Sequence, residues 1–231
     1  MAQLSNRLVP DRTIEKEILA RLATGIENPI LAGVDEVGRG SLAGPASVGI
    51  ALIDLKTSDA FPSKLRDSKM ISAKVRENLV EPTSNWVMAS AVGHSTVDEI
   101  NTLGIVAGLR CAAARAVDSL LNRGFHFDAV LLDGSHNWWT TDGLFDVGPQ
   151  LPSVPVQTEV KGDARCAAIA AASVLAKVAR DSLMSSLAVD FPQYDWEHNK
   201  GYSSQKHIAA LKDFGASVHH RTAWNLPGLV K

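Results

Sequence analysis

Apolar positions along the chain fall into short continuous runs that alternate with stretches of helical period, the pattern of a layered α/β protein. Residues 1–12 are polar, contain Pro10 and read as a loose arm. Ile14, Ile18, Leu19 and Leu22 then share one side of a helix over Thr13–Ala23, with Asp11 or Thr13 placed to cap it. Ile30, Leu31 and Val34 form a first buried strand, and Ala46–Ile53 reads as its antiparallel hairpin partner. A polar loop over 54–71 precedes a short helix from Ser72 to about Leu79, and Trp86–Val92 is a third strand. Thr96 and Glu99 have capping-box spacing and open a long helix carrying Ile100, Leu103, Val106, Ala107, Ala113, Ala114, Val117, Leu120 and Leu121 on one face. Gly104 and Gly108 each cost that helix about 1 kcal/mol relative to Ala. They mark either close approach of another backbone or an unstable turn, and Gly124 ends the helix.

Ala129–Leu132 is a fourth buried strand, and Val154–Val160 a fifth beyond a loop holding Trp138 and Trp139. An Ala-rich helix from Ala164 to about Leu187 has the small side chains needed to pack tightly on a sheet, and a last helix runs from Ser204 to about Phe214. The expected fold class is therefore α/β, a mixed five-stranded sheet flanked by helices. No repeat, linker or low-complexity tract divides the chain, which reads as one domain. Residues 1–27 are an arm and short helix, and residues 28–231 are the body.

Strands one, four and five all end on acids. The first delivers Asp35 and Glu36, followed by Gly38, Arg39 and Gly40; the fourth delivers Asp133-Gly134; the fifth leads to Lys161-Gly162-Asp163. Adjacent strand residues point to opposite faces, so Asp35 and Glu36 share a site only where the strand ends or bends. That pair is a candidate site for metal or phosphate, or else a solvated acidic turn. Asp133-Gly134 is equally a ligand contact at a strand's C-terminal end or a plain turn. Asp163, taken locally, is best read as a helix cap. Were strands one and four neighbours, Asp35, Glu36, Asp133 and Asp163 would converge. So many carboxylates cannot all stay ionised without cations, and an all-oxygen set suits Mg²⁺ or Mn²⁺. Two such ions about 4 Å apart clamp the attacking and leaving oxygens of a phosphodiester. Lys177 and Asp181 have the spacing of a simple helix pair. His219-His220 reads as a solvated surface pair and is assigned nothing.

Composition narrows the picture little. A net charge of −2 does not announce a nucleic-acid binder, although acids offset by metal would hide a basic stripe elsewhere. No apolar run approaches the ~20 residues needed to span a bilayer, and the N-terminus lacks signal-peptide order. Cys111 and Cys166 read as buried free thiols. A cytoplasmic protein is expected.

The segments GVDEVGRG (33–40), LRDSKMIS (65–72), LLDG (131–134), VKGDARCAAIAAASVLAKVARD (160–181), DWEHNKGY (195–202), HIAALKDFG (207–215) and HHRTAW (219–224) closely resemble the bacterial ribonuclease HII family. The resemblance covers nearly the whole chain after about residue 28. It implies an RNase H-like fold, dependence on Mn²⁺ or Mg²⁺, a cytoplasmic monomer, and RNA·DNA hybrids or ribonucleotide-containing duplex DNA as partners. It also implies that Asp35, Glu36, Asp133 and Asp163 are the metal-binding catalytic acids. Gly38, Arg39 and Gly40 would be the loop whose backbone reads the ribose 2′-OH, and Tyr202 the ring that stacks on the following sugar. Lys69, in Asp67-Ser68-Lys69, is expected near the substrate phosphates, the alternative being a solvated lysine in an Asx-type turn. Ser41 stands where the family usually has proline, Ser203-Ser204 where it has glycine-threonine, and Trp224 where it often has phenylalanine. No C-terminal extension follows about residue 228. Two other classes compete. A resolvase- or transposase-like nuclease would need acids but no 2′-OH reader, and a non-catalytic hybrid-binding module would be expected to lose an acid.

Overall fold

The computed structural model describes residues 9–65, 71–141 and 147–229. Its centre is a five-stranded sheet in the order β3-β2-β1-β4-β5, built from β1 (Leu31–Val37), β2 (Ser47–Ile53), β3 (Ala89–His94), β4 (Ala129–Asp133) and β5 (Val156–Glu159). The first three strands form an antiparallel meander. β4 lies parallel to β1 and β5 parallel to β4. Strands one and four are thus neighbours, the arrangement on which convergence of the acids depends.

Two long helices cover opposite faces. Helix α5 (Ala167–Asp190) packs on one face and α4 (Ile105–Leu121) on the other. Close contact is made by glycines on the strands meeting alanines on the helices. A Cβ on Gly33 would fall 2.5 Å from the Ala168 backbone, one on Gly49 2.3 Å from Ala172 O, and one on Gly93 2.0 Å from Ala112 O. The Ala-rich sequence of α5 is therefore a packing requirement of the sheet. Helix α1 (Thr13–Leu22) packs through Ile18 and Leu19 into the α5 side. A third cluster joins the C-terminal part of α5 to α6 (Trp196–Asn199) and α7 (Gln205–Phe214).

Three boundaries differ from the sequence reading. Helix α2 runs from Ala73 to Trp86, through Pro82, instead of stopping near Leu79, so the third strand starts at Ala89. Burial of Leu79 and Thr83 and an edge contact of Trp86 with Phe61 outweigh the proline, because tertiary packing overrides a local stop signal. The expected long helix breaks at Gly104, whose φ of 84° ends α3 (Val97–Leu103) and opens α4. Gly108 is approached by a side chain and not by another backbone, since a Cβ there would lie 2.8 Å from Ile100 Cγ1. The expected helix from Ala164 begins instead at Ala167, after a single 3₁₀ turn over Gly162–Ala164. Both cysteines are free and buried, and Lys177 pairs with Asp181 at 2.7 Å. Among the described residues, no helix is long and apolar enough to cross a membrane.

Candidate active site

Register brings the acids together. Val34 of β1 pairs with Leu132 of β4, so Asp35 and Asp133 follow side by side, and Asp133 pairs in turn with Glu159 of β5. The turn after β5 swings Asp163 back over this edge. Its shape depends on Asp133, whose Oδ1 accepts the Gly162 N–H at 2.7 Å and the Asp163 N–H at 3.4 Å. Carboxylate oxygens of Asp35, Asp133 and Asp163 lie within 4.8 Å of one another. Asp163 does not cap the following helix. Cys166 is the N-cap residue of α5, and the Ala168 N–H is taken by the buried Glu15 of α1 at 2.6 Å.

Asp35 is buried on the face covered by α5, where Ser173 hydrogen-bonds it and its Oδ1 accepts the Glu36 N–H at 2.7 Å. Burial first, then the Asp133 charge, hold its carboxyl well above the usual range, with Glu36 and Asp163 adding to the rise. A hard cation would relieve that strain. Three close oxygen donors with no sulfur or imidazole match the preference of Mg²⁺ or Mn²⁺.

Glu36 stands apart from the trio. β1 stays extended through Val37, so Glu36 points to the opposite face from Asp35. There Oε2 accepts the Trp138 indole N–H at 3.0 Å and Oε1 pairs with Arg39 at 3.1 Å. Trp138 is almost fully buried, so Glu36 is fixed from beneath.

The loop after β1 departs from a strained corner. Gly38 has φ +80°, and a Cβ there would overlap Arg180 Nε at 2.0 Å, so glycine is required by the fold itself. Gly40 is different. Its φ is not positive, and a Cβ would meet nothing within 4 Å, so the folded chain places no demand for glycine at this exposed position. Tyr202 joins the loop through its hydroxyl, which accepts the Gly38 N–H at 3.1 Å, while its ring is braced by Arg180 at 5.3 Å and Lys177 at 5.8 Å. Lys69 and its neighbours 66–70 lie outside the described residues.

Several supports were not singled out from sequence: Ser173, Trp138, Arg180 and Arg221. Arg180 left a trace, since it interrupts the buried i, i+4 series Ala172, Ala176, Met184 and Ala188 on α5. The expectation for His219-His220 fails in part, because His220 is buried. Its Nε2 meets His207 Nε2 at 2.9 Å and its Nδ1 accepts the Ser217 N–H at 2.9 Å. Burial, with the His207 charge, pushes it down to about 4.

A mixed sheet with acids at the ends of neighbouring parallel strands, beside a glycine loop, defines a nuclease of the ribonuclease H class. The sequence model for "Ribonuclease HII" matches residues 32–226. Ribonuclease HII from Streptomyces coelicolor is 41% identical over 215 residues, covering 93% of this chain and 83% of that protein. The crystal structure of ribonuclease H2 from Pyrococcus horikoshii OT3 superposes with a TM-score of 0.63 at 24% identity, over 86% of this chain and 95% of that one. Bst-RNase HIII, solved in complex with Mn²⁺, gives a TM-score of 0.63 at 16% identity, over 89% and 70%. The chain belongs to the ribonuclease HII family. It is accordingly an enzyme, a hydrolytic nuclease.

Proposed function

We propose that this chain hydrolyses the RNA strand of RNA·DNA hybrids and cuts duplex DNA on the 5′ side of embedded ribonucleotides, leaving 3′-OH and 5′-phosphate ends. In this reading it acts in the cytoplasm as a monomer, with residues 28–231 as its catalytic domain. The observation that carries it is the continuity of β1 from Asp35, within the trio of acids, into the Gly38–Gly40 loop. Recognition of a 2′-OH and cleavage of the adjacent phosphodiester thereby fall within a few residues of each other. The 2′-OH is the handle that separates a ribonucleotide from a deoxyribonucleotide.

Asp35, Asp133 and Asp163, joined by Glu36, would hold Mn²⁺ or Mg²⁺. Such ions supply charge neutralisation and activation of a water nucleophile. Ser173 and the Gly162 N–H keep the Asp35 and Asp133 carboxylates aimed. The backbone N–H groups of the Gly38-Arg39-Gly40 loop would donate to the ribose, the Tyr202 ring would stack on the following sugar, and Lys69 would contact a phosphate. Mn²⁺ in the Bst-RNase HIII structure is consistent with this donor set.

The test is cleavage of a duplex carrying one ribonucleotide, with Mn²⁺, Mg²⁺ or EDTA. Cleavage 5′ of the ribonucleotide is expected with either ion and none with EDTA. Asp35→Asn and Asp133→Asn should each lower turnover at least 10²-fold, the scale of losing an electrostatic contact to the transition state. Equal cleavage of an all-DNA duplex, or products ending in 2′,3′-cyclic phosphate, would overturn the reading.

A further inference from the structure

Behind the Gly38–Pro45 loop lie two arginines that are fully buried, Arg180 and Arg221. No carboxylate among the described residues forms an ion pair with either; Asp181 acts on Arg180 from outside ion-pair range, and the cation beside Arg221 is Arg180 itself. Burying two guanidiniums side by side without a counter-ion is costly, so something must be gained. Their guanidiniums lie over the Tyr202 and Trp224 rings, at 5.3 and 4.8 Å, and all their acceptors but Lys200 O belong to the loop itself. Arg180 donates from Nε to Pro45 O at 2.8 Å, from Nη1 to Lys200 O at 2.9 Å, and from Nη2 to Ser41 Oγ at 2.8 Å and Ala43 O at 3.2 Å. Arg221 donates from Nη1 to Arg39 O at 2.8 Å and from Nη2 to Gly38 O at 2.6 Å and Gly44 O at 3.0 Å. Its Nε also reaches Gly44 O at 3.2 Å.

The consequence follows from peptide geometry. No peptide bond among the described residues is cis, and in a trans peptide the N–H points opposite to the C=O. Drawing the Gly38 and Arg39 carbonyls inward to Arg221 turns the Arg39 and Gly40 N–H groups outward. No acceptor among the described residues takes either N–H. Gly38 differs, since its N–H is held by the Tyr202 hydroxyl. Two adjacent free donors thus stand on the exposed side of the loop, at the position where a Cβ on Gly40 would meet only open space.

We infer that Arg221, backed by Arg180, is a positioning residue for ribonucleotide recognition: it fixes the orientation of the peptides that present the Arg39 and Gly40 N–H groups to an oxygen of the substrate. The inference rests on the proposed function and adds to it a residue that touches no substrate. The forked guanidinium is essential because it holds carbonyls on both arms of the loop, 38–39 and 44, at once. A lysine ammonium keeps the charge yet cannot reproduce that planar fork.

The experiment compares wild type with Arg221→Lys in binding two duplexes in Ca²⁺, one with a single ribonucleotide and one all-DNA. The variant should lose at least tenfold of the preference for the ribonucleotide duplex while its affinity for the all-DNA duplex stays within twofold. A variant that keeps the wild-type preference within twofold, or that weakens both duplexes equally, overturns the role of Arg221. Wild type that fails to distinguish the duplexes sinks the proposed function instead. A second measurement needs no variant. In amide exchange of the free wild-type protein, Arg39 and Gly40 should exchange freely and become protected when the ribonucleotide duplex is added. Protection of both amides in the free protein would overturn the inference even if Arg221→Lys does not fold.

Discussion

At the scale of single residues, Gly38 and Gly40 separate what the fold needs from what the substrate needs. Neither role can be told from the letters GRG, because both positions look alike until the space around each is known. Gly38→Ala forces a Cβ onto Arg180 at a positive φ. Overpacking together with left-handed strain should cost about 2–4 kcal/mol, a fall in Tm on the order of 5–15 °C for a chain of this size. Gly40→Ala meets no atom and no forbidden φ, so its Tm should stay within about a degree or two. Its added methyl should nevertheless weaken binding of a ribonucleotide duplex about tenfold, roughly 1.4 kcal/mol. Thermal melts and duplex titrations of the two variants check this. A destabilised Gly40→Ala with normal binding would reverse the assignment. The same limit explains why Asp35, Glu36, Asp133 and Asp163 could be found in the sequence whereas Arg180, Arg221 and His220 could not be assigned a job. The acids stand at strand ends and in segments that carry the family resemblance, even though Asp163 taken locally reads as a cap. Two guanidiniums making four hydrogen bonds each, or two imidazoles 2.9 Å apart, exist only after long-range folding.

At the scale of elements, α1 is tied to α5 by chemistry that a sequence pattern does not carry. The expected short helix forms, but residues 10–12 of the expected loose arm are held in place, with Pro10 and Arg12 buried and Asp11 bridged to Cys166. The helix's buried face includes the acid Glu15, which accepts the Ala168 N–H. Arg12 stands 3.6 Å away and itself donates to Asp54 O and Thr57 O. Burial pushes Glu15 up to about 7, against the lowering effects of the Ala168 N–H and Arg12. The folded chain therefore holds the Glu15 proton more tightly than the unfolded chain, whose carboxyl titrates at 4.5. Stability is greatest below pH 4.5 as far as this group is concerned, falls as pH rises toward about 7, and is flat beyond. A shift from 4.5 to about 7 corresponds to roughly 3 kcal/mol. Glu15→Gln keeps a carbonyl for the Ala168 N–H and removes the titration. The variant should match wild type near pH 5 and exceed it by up to several degrees at pH 8. Parallel Tm-against-pH curves for the two proteins would show that α1 is not coupled to the sheet in this way. Strand and helix identities were legible because their apolar periods are local. The ends of α2 and α5 were not, since burial of Thr83 and capping from Glu15 come from elsewhere in the chain.

At the scale of the whole molecule, the composition hides the site. A net charge of −2 says nothing of a cluster in which three carboxylates crowd within 4.8 Å on one end of the sheet. Concentrating like charges there works against folding, and Asp35, buried and held well above its usual range, takes most of the cost. Stability and activity are thus opposed at this point, and the opposition can be measured. In EDTA, Asp35→Asn should melt above wild type, because it removes a buried carboxylate crowded by Asp133, Glu36 and Asp163 and held only by Ser173 and the Glu36 N–H. Adding Mn²⁺ or Mg²⁺ should invert the order. An ion that binds the folded chain alone, at a hundredfold over its dissociation constant, stabilises by about 2.7 kcal/mol. For a protein of this size that is a rise in Tm of roughly 5–10 °C. Wild type should show the rise, and Asp35→Asn and Asp133→Asn should lose most of it. Trp138 offers an independent reading, since its indole N–H is bonded to Glu36. An ion that recruits Glu36 must loosen that bond, so the metal-induced change in tryptophan fluorescence should shrink in Trp138→Phe. A melt of wild type unmoved by either ion at millimolar concentration would show that the trio of acids is not a metal site in the free protein.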